Sequence, residues 1–283
     1  MGFMGSGTHL RTFFKGMAMG MADIVPGVSG GTVALILGIY ERLVRSISQV
    51  KPAALGKTIR RESGGIDVKL FVPLGAGIAA AFLIMSNIIL FLLNDLASPT
   101  YAFFFTLILG SAIMLIRSER VGSPANLAFA IVGFGASFWL VGLDTASLGH
   151  SLPVIFISGL IAITAMILPG ISGALILLLL NQYEFLLDAL KSVHLPEIVT
   201  FLAGAVMGLL AFSRVLNRLL EKFRGQTVAF LIGLMLGALR LCYDNMTFDS
   251  TTIFSIWVAG LIGFCIVFLL EIGRTKSKRT AKR

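Results

Sequence analysis

The chain has 283 residues, of which 57% are hydrophobic and only 13% charged, with a mean hydropathy of +0.93. An ordinary soluble domain carries roughly 25% charged residues, so this composition excludes a disordered chain and a soluble globular domain and leaves an integral membrane protein. The net charge of +9 reads as the basic loops of a cytoplasmic face rather than as a nucleic-acid surface, and the basic tail 273–283 has anionic lipid as its expected neighbour.

In chain order the apolar runs fall at 12–25, 32–40, 70–93, 101–116, 125–143, 153–168, 171–187, 198–213, 227–243 and 252–272. They lack the alternation of spanning strands and are read as helices. Six are long enough to cross a bilayer, which takes about 20 residues with latitude for tilt: those starting near 70, 101, 125, 198, 227 and 252. The other four are shorter and come in pairs, split at Pro26-Gly27 and Pro169-Gly170. Nothing in the first run reads as a cleavable leader, because it continues through Asp23 into more apolar sequence. Cys242 and Cys265 have neither the spacing nor the histidine neighbours of a metal site. No metal or cofactor is expected.

Basic residues orient the spans. Arg42, Arg45, Lys51, Lys57, Arg60, Arg61 and Lys69 mark 41–69 as cytoplasmic, as do Arg117 and Arg120, then Arg214, Arg218, Lys222 and Arg224, then the tail. The loops near 94–99, 144–151 and 244–251 carry no Lys or Arg and lie outside. Of the 23 Lys and Arg, only Lys191 and Arg240 then fall outside. With both flanks of each short pair on one side, 12–40 is expected to be a re-entrant hairpin entered from the cytoplasm and 153–187 one entered from the periplasm. Two short full spans would also satisfy the loops.

The pairs repeat each other. Aligning Pro26 with Pro169 superposes Gly16 on Gly159, Ala22 on Ala165, Ser29-Gly30 on Ser172-Gly173, and Tyr40-Glu41 on Tyr183-Glu184. After a small change of register Gly77 meets Gly204, Phe103 meets Phe230 and Gly110 meets Gly237. The expected fold is an all-α integral membrane protein with an inverted-topology repeat, each half a re-entrant hairpin plus three transmembrane helices. The first repeat occupies 1–143 and the second 153–272, followed by the cytoplasmic tail.

The breaks carry the chemistry. Broken backbone at membrane depth survives only where protein or a water-filled cavity satisfies it. Past the first break Ser29, as N-cap, would start the return helix, with Gly30, Gly31 and Thr32 letting a ligand approach the backbone. Ser172-Gly173, after Pro169-Gly170, repeats this from the other side. Two helix starts facing one point would favour an anion, an oxyanion such as phosphate above all. The expected phosphate-binding set is therefore Pro26, Gly27, Ser29, Gly30, Gly31, Thr32, Pro169, Gly170, Ser172 and Gly173. Asp23, buried in an apolar run beside the first tip, is either a proton carrier or a capping acceptor for freed N–H groups. Glu41 and Glu184 end the return helices as interface residues or as gating and coupling groups. Arg117, Arg214 and Arg240 sit at span ends, where they snorkel by default or hold a lipid phosphate. The histidines, His9, His150 and His194, lie scattered in flanks and loops and build no site.

The stretch Gly20-Met21-Ala22-Asp23-Ile24-Val25-Pro26-Gly27-Val28-Ser29-Gly30-Gly31-Thr32, with Leu168-Pro169-Gly170-Ile171-Ser172-Gly173 in the second half, resembles the bacterial polyprenyl-phosphate transporter family called PopT. The resemblance covers nearly the whole chain. It implies an inner-membrane protein that returns undecaprenyl phosphate, the lipid carrier of envelope glycans, from the outer to the inner leaflet. The second motif departs from the first, since Ala174-Leu175 replaces Gly31-Thr32, so the halves need not contact phosphate equally. Membrane undecaprenyl-pyrophosphate phosphatases share re-entrant hairpins, but Gly30-Gly31 stand where an Arg-Ser pair is needed and no paired carboxylates accompany them. A non-enzymatic transporter is therefore expected. A small-anion channel or exchanger is the other alternative.

Overall fold

The structure, a computed structural model, describes residues 6–24, 28–50, 67–119, 122–144 and 148–280. Pro26 and Gly27, and the basic residues between 51 and 66, lie outside the described residues. Among the described residues every regular element is an α-helix: α1 (Ser6–Ile24), α2 (Gly30–Ile36), α3 (Tyr40–Ser48), α4 (Val68–Asp95), α5 (Ala97–Glu119), α6 (Pro124–Val141), α7 (Leu152–Ile167), α8 (Gly173–Leu179), α9 (Tyr183–Lys191), α10 (Leu195–Lys222), α11 (Arg224–Asp244) and α12 (Ile253–Thr280).

Five of these, α4, α5, α6, α10 and α11, are long and apolar enough to cross a membrane, and α12 adds an apolar stretch over Ile253–Leu269. Large apolar side chains point away from protein along them: Leu83, Trp139 and Phe254 are largely exposed, as a lipid-facing surface requires. The chain is a multi-pass membrane protein.

Two compact units form. One comprises Met1–Met85 with Leu143–Arg224, and the other Ser86–Gly142 with Gly225–Arg283. The first unit holds α1–α3, the first part of α4, and α7–α10. The second holds α5, α6, α11 and α12, with α11 at its centre: Ala229, Leu231, Met235 and Cys242 are wholly inaccessible.

In the first unit the aligned glycines make matching contacts. A Cβ on Gly16 would strike the Leu74 carbonyl, and one on Gly77 the Phe13 carbonyl. In the second half a Cβ on Gly159 would strike the Phe201 carbonyl and one on Gly204 the Phe156 carbonyl. Helix α1 thus lies against α4, and α7 against α10, at backbone distance, the packing that small residues permit between membrane helices. Neither carbonyl can retreat without moving its helix. Gly204→Leu is therefore expected to destabilise the first unit by about 1–3 kcal/mol, read as a fall in the thermal unfolding midpoint in detergent, while Gly135→Leu, at a glycine with open space around its Cβ, leaves it unchanged.

The return limbs differ from expectation. The apolar runs predict one helix ending in Tyr-Glu in each, yet each is two helices joined by a short turn, and α8 and α9 are bent by 106° at theirs. Gly38 (φ 68) and Asn181 (φ 55), which occupy the same place in the alignment, both adopt the left-handed conformation. Around them the N–H of Gly38 donates to Leu35 O and that of Ile39 to Ala34 O, and likewise Asn181 to Leu178 O and Gln182 to Leu177 O. These paired bonds form a Schellman C-cap, which favours Gly or Asn at its left-handed position. Tyr40-Glu41 and Tyr183-Glu184 consequently begin α3 and α9 instead of ending a return helix.

Candidate functional site

The two tips meet inside the first unit. Ser29, in extended conformation (φ −113, ψ 130), caps α2 by accepting the Gly31 N–H at 3.1 Å, as an N-cap serine does. The same hydroxyl donates across to Leu168 O, at 3.2 Å, where α7 has ended. In return Thr32 Oγ1 accepts the Gly170 N–H at 2.8 Å. Gly170 itself has φ 89, a conformation open to glycine and strained for other residues. A Cβ on Gly31 would lie 2.9 Å from Ile167 O and 3.1 Å from Met166 O, so only a glycine lets the tips come this close. Ser29, Thr32 and Ser172 are all buried, as are Gly30, Gly31, Pro169 and Gly170.

The first helix start is already occupied by an anion of the chain itself. Asp23 Oδ1 accepts the Gly30 N–H at 2.7 Å, and a Cβ at Gly30 would collide with the same carboxylate. The Thr32 N–H turns back to Ser29 O at 2.9 Å. The carboxylate is placed where the positive end of α2 favours it.

The second start is built alike and left open. Ser172 has nearly the same backbone conformation as Ser29 (φ −96, ψ 130), but no side-chain cap bond forms, and the Gly173 N–H has no partner among the described residues. Gly173 instead packs on α7, with a Cβ there 2.9 Å from Ala162 O. The motif difference now has a physical reason. Gly31 and Thr32 of the first tip supply the close approach and the hydroxyl, and the second tip supplies backbone groups. Ala174 and Leu175 are not called on for either.

The remaining candidates lie elsewhere. Glu41 pairs with Arg224 at 2.8 Å at the start of α3, beyond α2 from the tip. Glu184 is exposed on α9. Arg214 donates to Val50 O at 2.8 Å and ends an apolar face of α10 formed by Val199, Leu202, Val206, Met207 and Leu210. Arg117 and Arg240 belong to the second unit. Among the described residues no cluster could hold a metal ion.

His150 lies in the loop before α7, as expected, and there its Nδ1 lies 3.2 Å from Gln182 Oε1 and its ring stacks on Phe185 with centroids 4.2 Å apart. Gln182, wholly buried, spends its amide on Gly149 O and Leu180 O. These contacts fasten the 148–150 segment to the turn between α8 and α9. A buried glutamine in an otherwise apolar limb was the signal for it.

Residues 19–255 match the family model described as VCA0040-like, undecaprenyl phosphate translocase-like. The chain is 40% identical over 235 residues to a polyprenyl-phosphate transporter of Vibrio cholerae, covering 82% of this chain and 76% of that protein. It is 30% identical over 276 residues to a polyprenyl-phosphate transporter of Staphylococcus aureus, covering 91% and 93%. No solved structure matches it.

Proposed function

The chain belongs to the undecaprenyl phosphate translocase-like family, and from that premise we propose that it returns undecaprenyl phosphate from the outer to the inner leaflet of the bacterial cytoplasmic membrane, with the phosphate held between the paired tips. The reading puts both termini in the cytoplasm, takes 12–40 and 153–187 as re-entrant hairpins of opposite orientation, and makes the halves an inverted repeat. Its support is the bonding between the tips: Thr32 Oγ1 to Gly170 N–H, and Ser29 Oγ to Leu168 O. Interrupted helices need polar partners at membrane depth, and here each interruption satisfies the other. A phosphate oxygen can take the place of either partner, since it accepts from the same N–H and hydroxyl donors. The matched glycine contacts and the matched turns at Gly38 and Asn181 support the repeat. The distribution of Lys and Arg supports the orientation.

In this reading the phosphate enters at the open Ser172-Gly173 start and displaces the Asp23 carboxylate from Gly30. The polyprenyl tail stays in lipid throughout. Movement of one hairpin against the other then turns the site from one leaflet to the other. No bond is made or broken, so the tips need no nucleophile, and a transporter is favoured over a phosphatase. Vesicles with a fluorescent polyprenyl phosphate and a membrane-impermeant quencher test this. Ser29→Ala with Ser172→Ala is expected to slow flipping by about tenfold or more, the worth of one hydrogen bond to a charged group. Flipping at the wild-type rate removes the tips as the site, and flipping blocked equally by free chloride supports a small-anion carrier instead.

A further inference from the structure

The second unit contains a built cation beside a lipid-sized hollow. Helices α5 and α12 and the end of α11 with the segment after it border a half-open hollow of about 500 Å³ lined by Phe105, Tyr243, Phe248, Trp257, Gly260 and Phe264. That volume lies within the roughly 300–1,000 Å³ of ordinary ligand pockets. A second hollow of about 450 Å³ adjoins it, shares Phe105 and Tyr243, and carries Arg240.

Arg240 is not a loose surface arginine. Its guanidinium lies 4.5 Å above the Phe138 ring, its Nη1 donates to Phe138 O at 2.9 Å, and its Nε faces Asp244 at 3.4 Å. Gly142 lacks the Cβ that would collide with Nη1. A ring beneath, a carbonyl at one edge and a glycine opposite thus fix the plane of the fork. Both Nη2 N–H groups are without a partner among the described residues. Arginine in a fixed plane suits the bidentate recognition of phosphate. The long Asp244 contact is an exposed pair worth little, which an incoming phosphate displaces readily.

The sequence places this cluster at the membrane face that has few basic residues, where Lys191 and Arg240 are the only ones, and Tyr243 and Trp257 stand at the depth of an aromatic belt. We propose that it is a capture site for an isoprenoid lipid monophosphate: Arg240 takes the headgroup, and the aromatic hollow takes the first branched isoprene units of the tail. This rests on the reading of the protein as a polyprenyl-phosphate carrier and names where the lipid is taken from the outer leaflet before transport. The charge complementarity of Arg240 to a phosphate, set beside an apolar aromatic hollow, selects that occupant over neutral lipid.

The test uses the full chain in phosphatidylcholine nanodiscs with geranylgeranyl phosphate carrying a diazirine on its second isoprene unit. Label is expected on 102–106 and 253–264. Arg240→Ala is expected to reduce it by about tenfold, the loss of one charge-assisted pair, and Arg240→Lys by less. Gly260→Leu, whose Cβ would lie 3.2 Å from the lining residue Thr106 and whose side chain narrows the hollow without touching Arg240 directly, removes it, so the outcome does not depend on a single variant remaining folded. The same diazirine on geranylgeraniol labels weakly. Equal labelling by the alcohol, or undiminished labelling in both Arg240→Ala and Gly260→Leu, overturns the proposal. Ser29→Ala with Ser172→Ala leaves the label intact. If flipping also survives that pair, the tips fail as the transport site while the capture site stands.

Discussion

A single methyl group at Gly31 is expected to slow transport by about tenfold to a hundredfold. Gly31→Ala places a carbon 2.9 Å from Ile167 O and 3.1 Å from Met166 O, both backbone oxygens at the end of α7. A flexible side chain could swing aside, but a carbonyl at the end of a packed helix cannot. The tips must separate, and with them go the Ser29–Leu168 and Thr32–Gly170 bonds. Overpacking of this kind costs about 1–3 kcal/mol, which is about a tenfold to a hundredfold loss of the closed arrangement and a matching fall in the flipping rate. Thr32→Val should add to it without adding bulk. Its methyl cannot accept the buried Gly170 N–H, and an orphaned buried donor costs about 1–3 kcal/mol. Ala174→Gly, at the aligned place in the second tip, should be silent for transport, because it adds no atom there. A wild-type flipping rate in Gly31→Ala would mean that contact between the tips plays no part in the cycle.

That asymmetry marks the boundary of what the sequence discloses. Local backbone chemistry is legible: Pro169-Gly170 announces a break, Ser29 before Gly30-Gly31 announces a cap, and runs of about 20 apolar residues announce spans. Each of the six expected spans overlaps one long helix, α4, α5, α6, α10, α11 or α12, although α10 and α12 run eight or nine residues past the expected ends, and the first five pass as candidate spans. Gly38 and Asn181 were equally readable as helix stops, but the apolar residues around them mask the turn, since hydropathy does not register backbone handedness. Long-range partners are not legible. Thr32 looks like any helix-start threonine until Gly170, far along the chain, donates to it. Arg240 looks like a snorkelling arginine until Phe138 and Gly142 are seen around it. His150 is a loop residue whose partners, Gln182 and Phe185, the residues around it do not announce. In each case the local sequence fixes the residue's type and the packing of another segment fixes its role.

Asp23→Asn separates charge from shape at the first tip. Asn keeps a carbonyl oxygen where Asp23 Oδ1 now accepts the Gly30 N–H, so the cap survives and the fold with it. Only the negative charge is lost. A phosphate brought to the same helix start meets that charge, and two like charges about 4 Å apart repel by about 4 kcal/mol at an effective dielectric constant near 20. Removing it is expected to tighten binding of a polyprenyl phosphate by about tenfold or more, as measured by titration in nanodiscs. Flipping should slow by a similar factor, because the carboxylate that reclaims Gly30 and expels the headgroup is gone. Asp23→Ala makes the complementary measurement: it removes the acceptor as well as the charge, leaves the Gly30 N–H unpaired, and should lower the thermal midpoint by the equivalent of about 1–3 kcal/mol. Tighter binding with slower release in Asn, against lost stability in Ala, identifies Asp23 as the group that trades places with the substrate. Wild-type binding and flipping in Asn, with instability in Ala, reduces it to a cap.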